Sequence, residues 1–222
     1  MDKNTPQYCF FISSVTTPWD NTPYNYSMRS SYTPTERTLQ TIKTIESIRK
    51  YCPQAQIILC EGGSTSSLQI ARLVDKYIYA GKYHCVRYAV AGNSKAYGEA
   101  MLTLCALPFI SNYDYIWKIS GRYFLNDKFD INKYVTGTGK NRITGKDIYG
   151  DKTQISTRLL GIPKSCIGLF VKAIFRRFWK LPRPYTVYEA YLMKGIGIQN
   201  INFIIPIGVE GFLAGTKEMM YE

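Results

Sequence analysis

Short apolar runs alternate with helical repeats along the first half of the chain, and this alternation predicts its elements. We predict four strands: Tyr8 to Val15, Gln56 to Cys60, His84 to Val90 and Tyr113 to Ile119. We predict helices between them: Pro34 to Tyr51, Ser66 to Tyr79 and Lys95 to about Leu107. Because strands and helices follow one another in this order, the pattern predicts an α/β fold with a mostly parallel sheet flanked by helices.

The first predicted helix carries signals at both ends. Thr33-Pro34-Thr35-Glu36 has the pattern of a capping box with proline at the first helical position. Apolar residues then recur at helical spacing: Leu39, Ile42, Ile45 and Ile48. Pro53 ends the pattern. We therefore interpret Glu36 as a capping residue rather than a catalyst.

The second half of the chain has a more irregular pattern. Gly137 to Asp151 contains four glycines among polar residues, which indicates a loop or hairpin over a site. We predict the remaining elements as two helices, one strand and a loose tail: Pro163 to Lys180, Thr186 to Lys194, Asn202 to Ile205, and the residues that follow. We interpret the 222 residues as one domain.

Composition narrows the class of protein. With 45% hydrophobic and 20% charged residues, the chain has the proportions of a globular protein. No apolar run reaches the roughly 18 residues that a membrane span needs, and we see no secretion signal. Six cysteines without a CxxC pair, together with a single histidine, argue against structural zinc and favour a reducing compartment. The net charge of +12 indicates an anionic partner: nucleic acid, a lipid surface or a phosphorylated small molecule.

Polar and cationic residues follow the ends of the predicted strands. The carboxyl ends of parallel strands form one edge of a sheet, and open α/β sheets bind ligands there. A helix amino terminus at that edge, such as the one before Lys95, favours phosphate. The Walker spacing and G-x-G-x-x-G are both absent, which argues against a P-loop nucleotidase and a dinucleotide-binding fold. The candidates for binding a phosphorylated ligand are Ser14, Glu61, Lys95, Lys118, Ser120, Gly121 and Arg122.

Several stretches together resemble small glycosyltransferases of the GT-A fold: YCFFISSV, ERTLQTIKTIESIRKYCP, IILCEGG, NSKAYGEAML and YIWKISGRYFL. The resemblance covers roughly residues 7–130 and is to bacterial and large-virus enzymes that build surface glycans. It implies a GT-A-like sheet, with a nucleotide-sugar-binding half at 1–130 and an acceptor or lid half at 131–222. It also implies hexosyl or pentosyl transfer from a nucleotide-sugar donor to a glycan or glycolipid hydroxyl, by a cytoplasmic enzyme.

KISGRY lies where most GT-A enzymes carry the Asp-x-Asp motif, whose carboxylates hold a divalent cation. Two explanations of this departure compete. In the first, cations of the protein replace the metal, with Arg122 gripping the diphosphate and Lys118 acting as a point charge. The alternative is a Mn²⁺ or Mg²⁺ site with Asp127 or Asp130 as a ligand. A simpler interpretation also stays open, in which Lys118 reaches solvent from its strand and Arg122 is a surface cation.

The remaining candidates follow from position in the same fold. Glu189, at the start of a late helix, is the candidate base for an inverting transfer, and Asp151 is the second choice. Glu61 is predicted to accept a hydrogen bond from a ribose hydroxyl, and Arg37 to face the donor pocket. Lys95 either pairs with Glu99 four residues later on the helix or reaches phosphate.

A membrane surface and nucleic acid are two other partners that the basic residues suggest. The segment Lys172 to Lys180, KAIFRRFWK, has the composition of a helix that contacts an anionic membrane peripherally, or of a core helix with solvated cations. Nucleic-acid binding is an alternative function because of the pI near 9.4 and the 19 tyrosines. The cations are spread along the chain and no nucleic-acid motif appears, so nucleic acid is not the expected partner. A catalytically inactive GT-A-like binding module is the third function considered.

Overall fold

The computed structural model describes residues 6–19, 32–92, 95–178, 187–213 and 218–222. Its ten strands are β1 Tyr8–Ser14, β2 Gln56–Glu61, β3 Lys76–Tyr79, β4 Tyr115–Ser120, β5 Tyr123–Leu125, β6 Ile143–Gly145, β7 Leu159–Pro163, β8 Ile201–Phe203, β9 Val209–Phe212 and β10 Met219–Tyr221. Seven of them form a central sheet in the order β3-β2-β1-β4-β7-β6-β8. The sheet is parallel from β3 to β4, and β7 is antiparallel to both of its neighbours.

A second, smaller sheet and seven helices complete the described fold. The small sheet is antiparallel in the order β10-β9-β5. The helices are α1 Pro34–Tyr51, α2 Leu68–Ala71, α3 His84–Ala91, α4 Lys95–Ile110, α5 Ile131–Val135, α6 Ile167–Phe178 and α7 Tyr188–Ile196. None of the helices in the described residues is both long and apolar enough to cross a membrane.

The central strands have apolar side chains on both faces, and these build two cores. Phe10 and Trp117 stack at 5.1 Å between ring centroids and pack on the side of α1. Phe11 and Ile116 point the other way and pack against α4, α6 and α7. This double burial explains why β1 and β4 read as continuous apolar runs. The predicted α/β class with a mostly parallel sheet is confirmed.

The start and end of α1 are as predicted, but its buried face is not. Thr33 Oγ1 accepts a bond from the Glu36 amide at 3.2 Å, and Glu36 Oε2 accepts one from the Thr33 amide at 2.7 Å. The capping box is therefore confirmed. Ile45 and Ile48 are buried as their spacing predicts, whereas Leu39 is 59% exposed.

A row of buried hydroxyl groups on α1 forms hydrogen bonds to the neighbouring chain. The three residues are Thr41, Thr44 and Ser47. They bond the chain that follows β4: Thr41 Oγ1 donates to Gly121 O at 3.1 Å, Thr44 Oγ1 donates to Tyr123 O at 2.8 Å, and Ser47 Oγ accepts from Leu125 N at 2.9 Å. Helix α1 thus holds the Ser-Gly-Arg turn and β5 in place.

Two predicted elements between β2 and α4 are wrong. The helix predicted over Ser66 to Tyr79 is only the four-residue α2, and β3 follows it as an edge strand paired with β2. The strand predicted over His84 to Val90 is the helix α3, which buries Val86 and Ala89 three residues apart. In both places, pairing or packing against a neighbour overrides local β or helix preference.

The second half also departs from prediction. Leu159–Pro163, not recognised as a strand, is β7, and the helix predicted from Pro163 begins at Ile167. The predicted strand and short helix near the end are confirmed as β8 and α7, with shifted bounds. The tail is not loose, because β9 and β10 pair with each other. Since β4 pairs with β7, one sheet spans both predicted halves, and their division into donor and acceptor halves stays a prediction.

The basic aromatic segment Lys172 to Lys180 is described only in part. Ala173 and Ile174 are buried in the core, whereas Lys172, Phe175 and Arg176 are exposed. The side chains from residue 177 to 180 lie outside the described residues. The predicted contact with a membrane surface therefore stays a prediction.

Candidate functional site

The carboxyl ends of β1, β2 and β4 meet at one edge of the sheet, as predicted. Ser14 is the register partner of Glu61, and Ser13 is the partner of Ser120. The chain turns directly after β4, where the Gly121 amide donates to Ser13 O at 3.0 Å. Of the predicted donor-binding residues, Ser14, Glu61, Ser120 and Gly121 are thus brought together.

Glycine at position 121 allows the turn to approach α1 closely. A Cβ on Gly121 would lie 3.0 Å from Thr41 Oγ1 and 3.3 Å from Ser14 Oγ. Ser14 is buried, and its Oγ lies 3.3 Å from Thr41 Oγ1. A side chain at Gly121 would therefore push the turn away from α1. Within this structure, Ser14 and Gly121 serve packing at the edge.

Two arginines converge beside this turn. Arg37 is held by backbone carbonyls, with Nη1 donating to Val15 O at 2.9 Å and Nε to Tyr32 O at 3.3 Å. The pKa of Arg37 is lowered to about 10, mainly by burial and also by the positive charge of Arg122, while the charge of Glu61 acts in the opposite direction. In the described part of the chain, neither Arg37 nor Arg122 lies within salt-bridge distance of a carboxylate. The edge therefore carries two cations that no carboxylate neutralises by direct contact.

Glu61, whose charge interacts with that of Arg37, joins two loops. Its Oε1 accepts bonds from the amides of Thr16 at 2.9 Å and Gly63 at 2.7 Å. Burial raises the pKa of the carboxyl, and these hydrogen bonds lower it. Its Oε2 has no hydrogen-bond partner among the described residues. Glu61 thus fixes the loops after β1 and β2, and its predicted contact with a ribose hydroxyl stays a prediction.

Lys118 is not the exposed phosphate contact that the sequence suggested. Its side chain is 2% exposed and lies between the sheet and α4. The Nζ pairs with the Glu99 carboxylate and donates to Thr157 O at 2.8 Å. The pKa of Lys118 is lowered to about 7, mainly by burial; the charge of Glu189 opposes this shift and the charge of Arg122 adds to it. Both faces of β4 are covered by the protein, so Lys118 does not reach solvent even though it lies near the end of the strand.

Glu189 belongs to the same group of charges. It lies in the first turn of α7, and its Oε1 accepts a bond from Thr157 Oγ1 at 3.0 Å. Thr157 therefore contacts both Lys118 and Glu189, one through its carbonyl and the other through its hydroxyl. The charges of Lys118 and Glu189 also interact across this threonine. Glu99 bonds Lys118. Its predicted pairing with Lys95 stays a prediction, because the side chain of Lys95 lies outside the described residues.

The other predicted carboxylates lie apart from this group. Asp151 is exposed, and its Oδ1 accepts bonds from the Thr153 hydroxyl at 2.7 Å and amide at 2.9 Å. These bonds lower the pKa of Asp151 and so weaken it as a base. Asp130 caps α5 by accepting a bond from the Asn132 amide at 2.9 Å. Asp127 is exposed and lines a pocket of about 440 Å³ between α1 and β5.

Two further predictions concern metal and phosphate ligands. Among the described residues, no group of three or more histidine, cysteine or acidic side chains could hold a metal ion. The fallback metal ligands Asp127 and Asp130 therefore do not gain a third protein ligand there. The side chain of Lys95 lies outside the described residues, although α4 begins at this position as expected. Its predicted phosphate contact stays a prediction.

Sequence reasoning missed a cluster at the same edge. It consists of Lys146, Ser156, Arg158 and Glu222. The cationic members follow β6 or precede β7, and neither strand was assigned from the sequence. Recognising LLGIP as a strand would have placed Arg158 at this edge, whereas the sequence holds no signal that would place Glu222 there.

Solved structures share the fold of this protein over about nine tenths of its chain. The glycosyltransferase GlyE of Streptococcus pneumoniae TIGR4 is 10% identical with a TM-score of 0.51, over 91% of this chain and 46% of its own. The apo form of GlyE is 10% identical with a TM-score of 0.52, over 90% of this chain and 45% of its own. The bifunctional glycosyltransferase WbbM is 9% identical with a TM-score of 0.51, over 90% of this chain and 39% of its own. The chain has a GT-A-like fold.

The GT-A-like fold is what these likenesses show. At about 10% identity they carry no residue-level information, and this chain spans less than half of the length of those proteins. No protein-family model and no curated protein matches the sequence. The chemistry of this chain therefore depends on the residues at the edge of the sheet.

Proposed function

We propose that this protein is a glycosyltransferase that moves a hexosyl or pentosyl group from a nucleotide-sugar donor to a hydroxyl of a glycan or glycolipid. The observation that carries the proposal is the pair Arg37 and Arg122 at the carboxyl edge of a GT-A-like sheet, without a carboxylate in direct contact in the described residues. The positive charges of Arg37 and Arg122 repel each other, and an anion bound to both arginines would offset this repulsion. A nucleoside diphosphate is such an anion.

The chemistry explains why the reaction needs this charge. When the bond between the sugar and the diphosphate breaks, the bonding electrons stay on the phosphate oxygen, which becomes more negative. The planar guanidinium of Arg122 can give two parallel hydrogen bonds to phosphate oxygens. Arg37 is fixed by two carbonyls, so little reorganisation is needed as charge develops. These arginines supply positive charge where a metal does so in other enzymes, and a Mn²⁺ or Mg²⁺ requirement is the alternative.

Glu189 is the proposed base for a transfer with inversion. It would accept the proton of the acceptor hydroxyl while that oxygen bonds to the sugar carbon. The Thr157 hydroxyl orients its carboxylate. Lys118 acts behind it as a buried cation, held by Glu99, and takes no part in binding phosphate. Asp151, exposed and with a lowered pKa, is the weaker candidate.

Binding of nucleoside diphosphates tests the proposal. Arg122→Ala should weaken this binding by about 10- to 100-fold in isothermal titration, because one charge-assisted contact contributes roughly 1.5–3 kcal/mol. Arg72→Ala is the matched control, since Arg72 is exposed near the opposite edge, and it should leave affinity unchanged. Equal affinities in all three proteins would contradict the proposal. Titrations with EDTA and with Mn²⁺ decide between protein cations and a metal.

Transfer assays form the second part of this experiment. Glu189→Gln should slow sugar transfer by about 100-fold or more while leaving nucleoside diphosphate affinity unchanged, because it removes a base and no phosphate contact. Full activity in this variant would exclude Glu189 as the base. If the wild-type protein hydrolyses no nucleotide sugar and yet binds nucleoside diphosphates, the chain is a GT-A-like binding module instead.

A further inference from the structure

Glu222 places a carboxylate among cations at the carboxyl edge of the central sheet. Its side chain is only 4% exposed. Oε1 accepts bonds from Lys146 Nζ at 3.1 Å and from Arg158 Nη1, and Oε2 accepts a bond from Ser156 Oγ at 3.0 Å. The Glu222 amide donates to Val209 O at 2.7 Å, which anchors the backbone at the end of β10. Hydrogen bonds to both its side chain and its backbone thus hold this acidic residue in a built, mostly buried site.

The topology places this site beside the arginine pair. Arg158 directly precedes β7, whose first residue Leu159 pairs with Ile119 near the end of β4. Lys146 directly follows β6, which runs in the same direction as β4 because both are antiparallel to β7. Both cations therefore lie where β4 ends.

An aromatic ring links the two groups of cations. The guanidinium of Arg158 lies 5.7 Å from the centroid of the Tyr123 ring, and that of Arg122 lies 5.8 Å from the same centroid. Because both arginines contact one ring, the site that holds Glu222 adjoins the site proposed for the diphosphate. The positive charges of Arg122 and Arg158 thus lie near each other around Tyr123, where an anion with more than one phosphate group could interact with both.

A phosphate group could bond Lys146 and Arg158 more strongly than the Glu222 carboxylate does. Both cations bond the same carboxylate oxygen, Oε1. A phosphate group can give each cation an oxygen of its own and carries more charge than a carboxylate. The side chains of Lys146 and Arg158 are 22% and 24% exposed, so they are partly desolvated, which strengthens their attraction to anions, yet a ligand can reach them.

We propose that Lys146, Ser156 and Arg158 form a second anion subsite, which takes a phosphate of the nucleotide donor, and that the carboxylate of Glu222 competes with that phosphate for it. This inference rests on the proposed function for the identity of the ligand. It assigns the phosphate-binding surface to both sides of Tyr123, rather than to the Ser-Gly-Arg turn alone. It also makes Glu222 an internal competitor that sets donor affinity.

Titration of inorganic pyrophosphate into Glu222→Gln and wild-type protein tests the competition. Glutamine keeps the size of the side chain and an oxygen for the Ser156 hydroxyl, but it removes the charge. We expect about 10-fold tighter pyrophosphate binding in Glu222→Gln, because two cations lose their carboxylate. Adding Arg158→Ala to this variant should remove the gain. Glu46→Gln removes the same charge from the exposed surface of α1 and should leave affinity unchanged.

A measurement on the wild-type protein keeps the proposal testable if Glu222→Gln does not fold. Pyrophosphate should increase amide hydrogen exchange at 219–222, because a displaced Glu222 loosens its bond to Val209. Unchanged or slower exchange there, or equal pyrophosphate affinity in wild type and Glu222→Gln, overturns the proposal.

The two proposals fail separately. If nucleoside diphosphates bind wild type and Glu222→Gln equally, and Arg122→Ala still weakens that binding, the second subsite is wrong and the proposed function stands. If Glu222→Gln gains pyrophosphate affinity while the wild-type protein neither binds nucleoside diphosphates nor transfers sugar, the anion subsite stands. The proposed function, and with it the donor as the ligand, is then wrong.

Discussion

Lys118 shows how a single residue can reverse its expected role. The sequence placed it beside a turn, where a lysine on a strand end would meet solvent or phosphate. The fold instead places its amino group in the interior, where it bonds Glu99 and Thr157. A buried charge is tolerated when it is paired and hydrogen-bonded, and removing one partner leaves the other uncompensated. Lys118 is therefore a structural cation behind Glu189, not a ligand of the donor.

The lowered pKa of Lys118 predicts a pH effect on stability. In the unfolded chain this lysine keeps its proton up to an ordinary pKa near 10.5, but in the folded protein it loses the proton above about pH 7. Between these values the unfolded state binds more protons, so stability from this group rises with pH. We expect the unfolding free energy of wild type to increase relative to Lys118→Met from pH 7 to pH 10.

Denaturant unfolding of both proteins across this range measures the effect. Comparing them cancels the titration of buried tyrosines and cysteines, which the two proteins share. Lys140→Met, a change at an exposed lysine, accounts for the general loss of one positive charge. The contrary result is an unfolding free energy of wild type, relative to Lys118→Met, that stays constant or falls as pH rises. That result would mean that the pairing with Glu99 outweighs burial and that the pKa of Lys118 is not lowered.

At the scale of the element, α1 shows what helical periodicity could predict and what it could not. The capping box and both ends were predicted, because local chemistry determines them. The buried row Thr41, Thr44 and Ser47 was not predicted, since hydroxyls on a helix usually face solvent or bond the preceding turn. They are buried because the chain after β4 offers unpaired backbone groups that only a neighbouring element can satisfy.

This row predicts a stability cost that depends on one hydrogen bond. Thr44→Val keeps the shape of the side chain but leaves the Tyr123 carbonyl without its bond, which should cost about 1–3 kcal/mol of unfolding free energy. Thr38→Val is the matched control, because both hydroxyls also bond the carbonyl four residues earlier and only Thr44 reaches β5. Urea unfolding measures both variants. Equal losses in the two would show that the bond to β5 contributes nothing.

The elements that sequence analysis got wrong share one physical cause. α3 has a β-rich composition, yet it is a helix because Val86 and Ala89 pack into the core beside α4. β3 is a strand because β2 offers it a parallel edge. In the second half, β7 and β9 are short strands, and their partners β4 and β5 are distant in sequence. Long-range pairing of this kind leaves no local pattern from which it could be predicted.

On the scale of the whole molecule, the topology explains which site residues were found. Parallel strands bring their carboxyl ends together by rule, so Ser14, Glu61 and the Ser-Gly-Arg turn could be placed from the sequence. Arg158 and Lys146 come from strands that were not recognised, and Glu222 from a tail expected to be loose. The cationic edge therefore has two parts. The part around the Ser-Gly-Arg turn could be predicted from the sequence, and the part around Glu222 forms only when the chain folds.

The net charge of +12 gives the last prediction. If the cationic edge binds phosphate, the affinity for a nucleoside diphosphate should fall roughly tenfold between 0.05 and 0.5 M NaCl, because salt screens the attraction. Titration of the matching nucleoside, which has no phosphate, is the control and should show little change. Equal salt dependence of the two ligands would mean that the base or sugar, rather than the phosphates, determines binding. An oligonucleotide that binds this edge should be displaced by the nucleoside diphosphate, whereas one that stays bound would locate nucleic-acid binding on another surface.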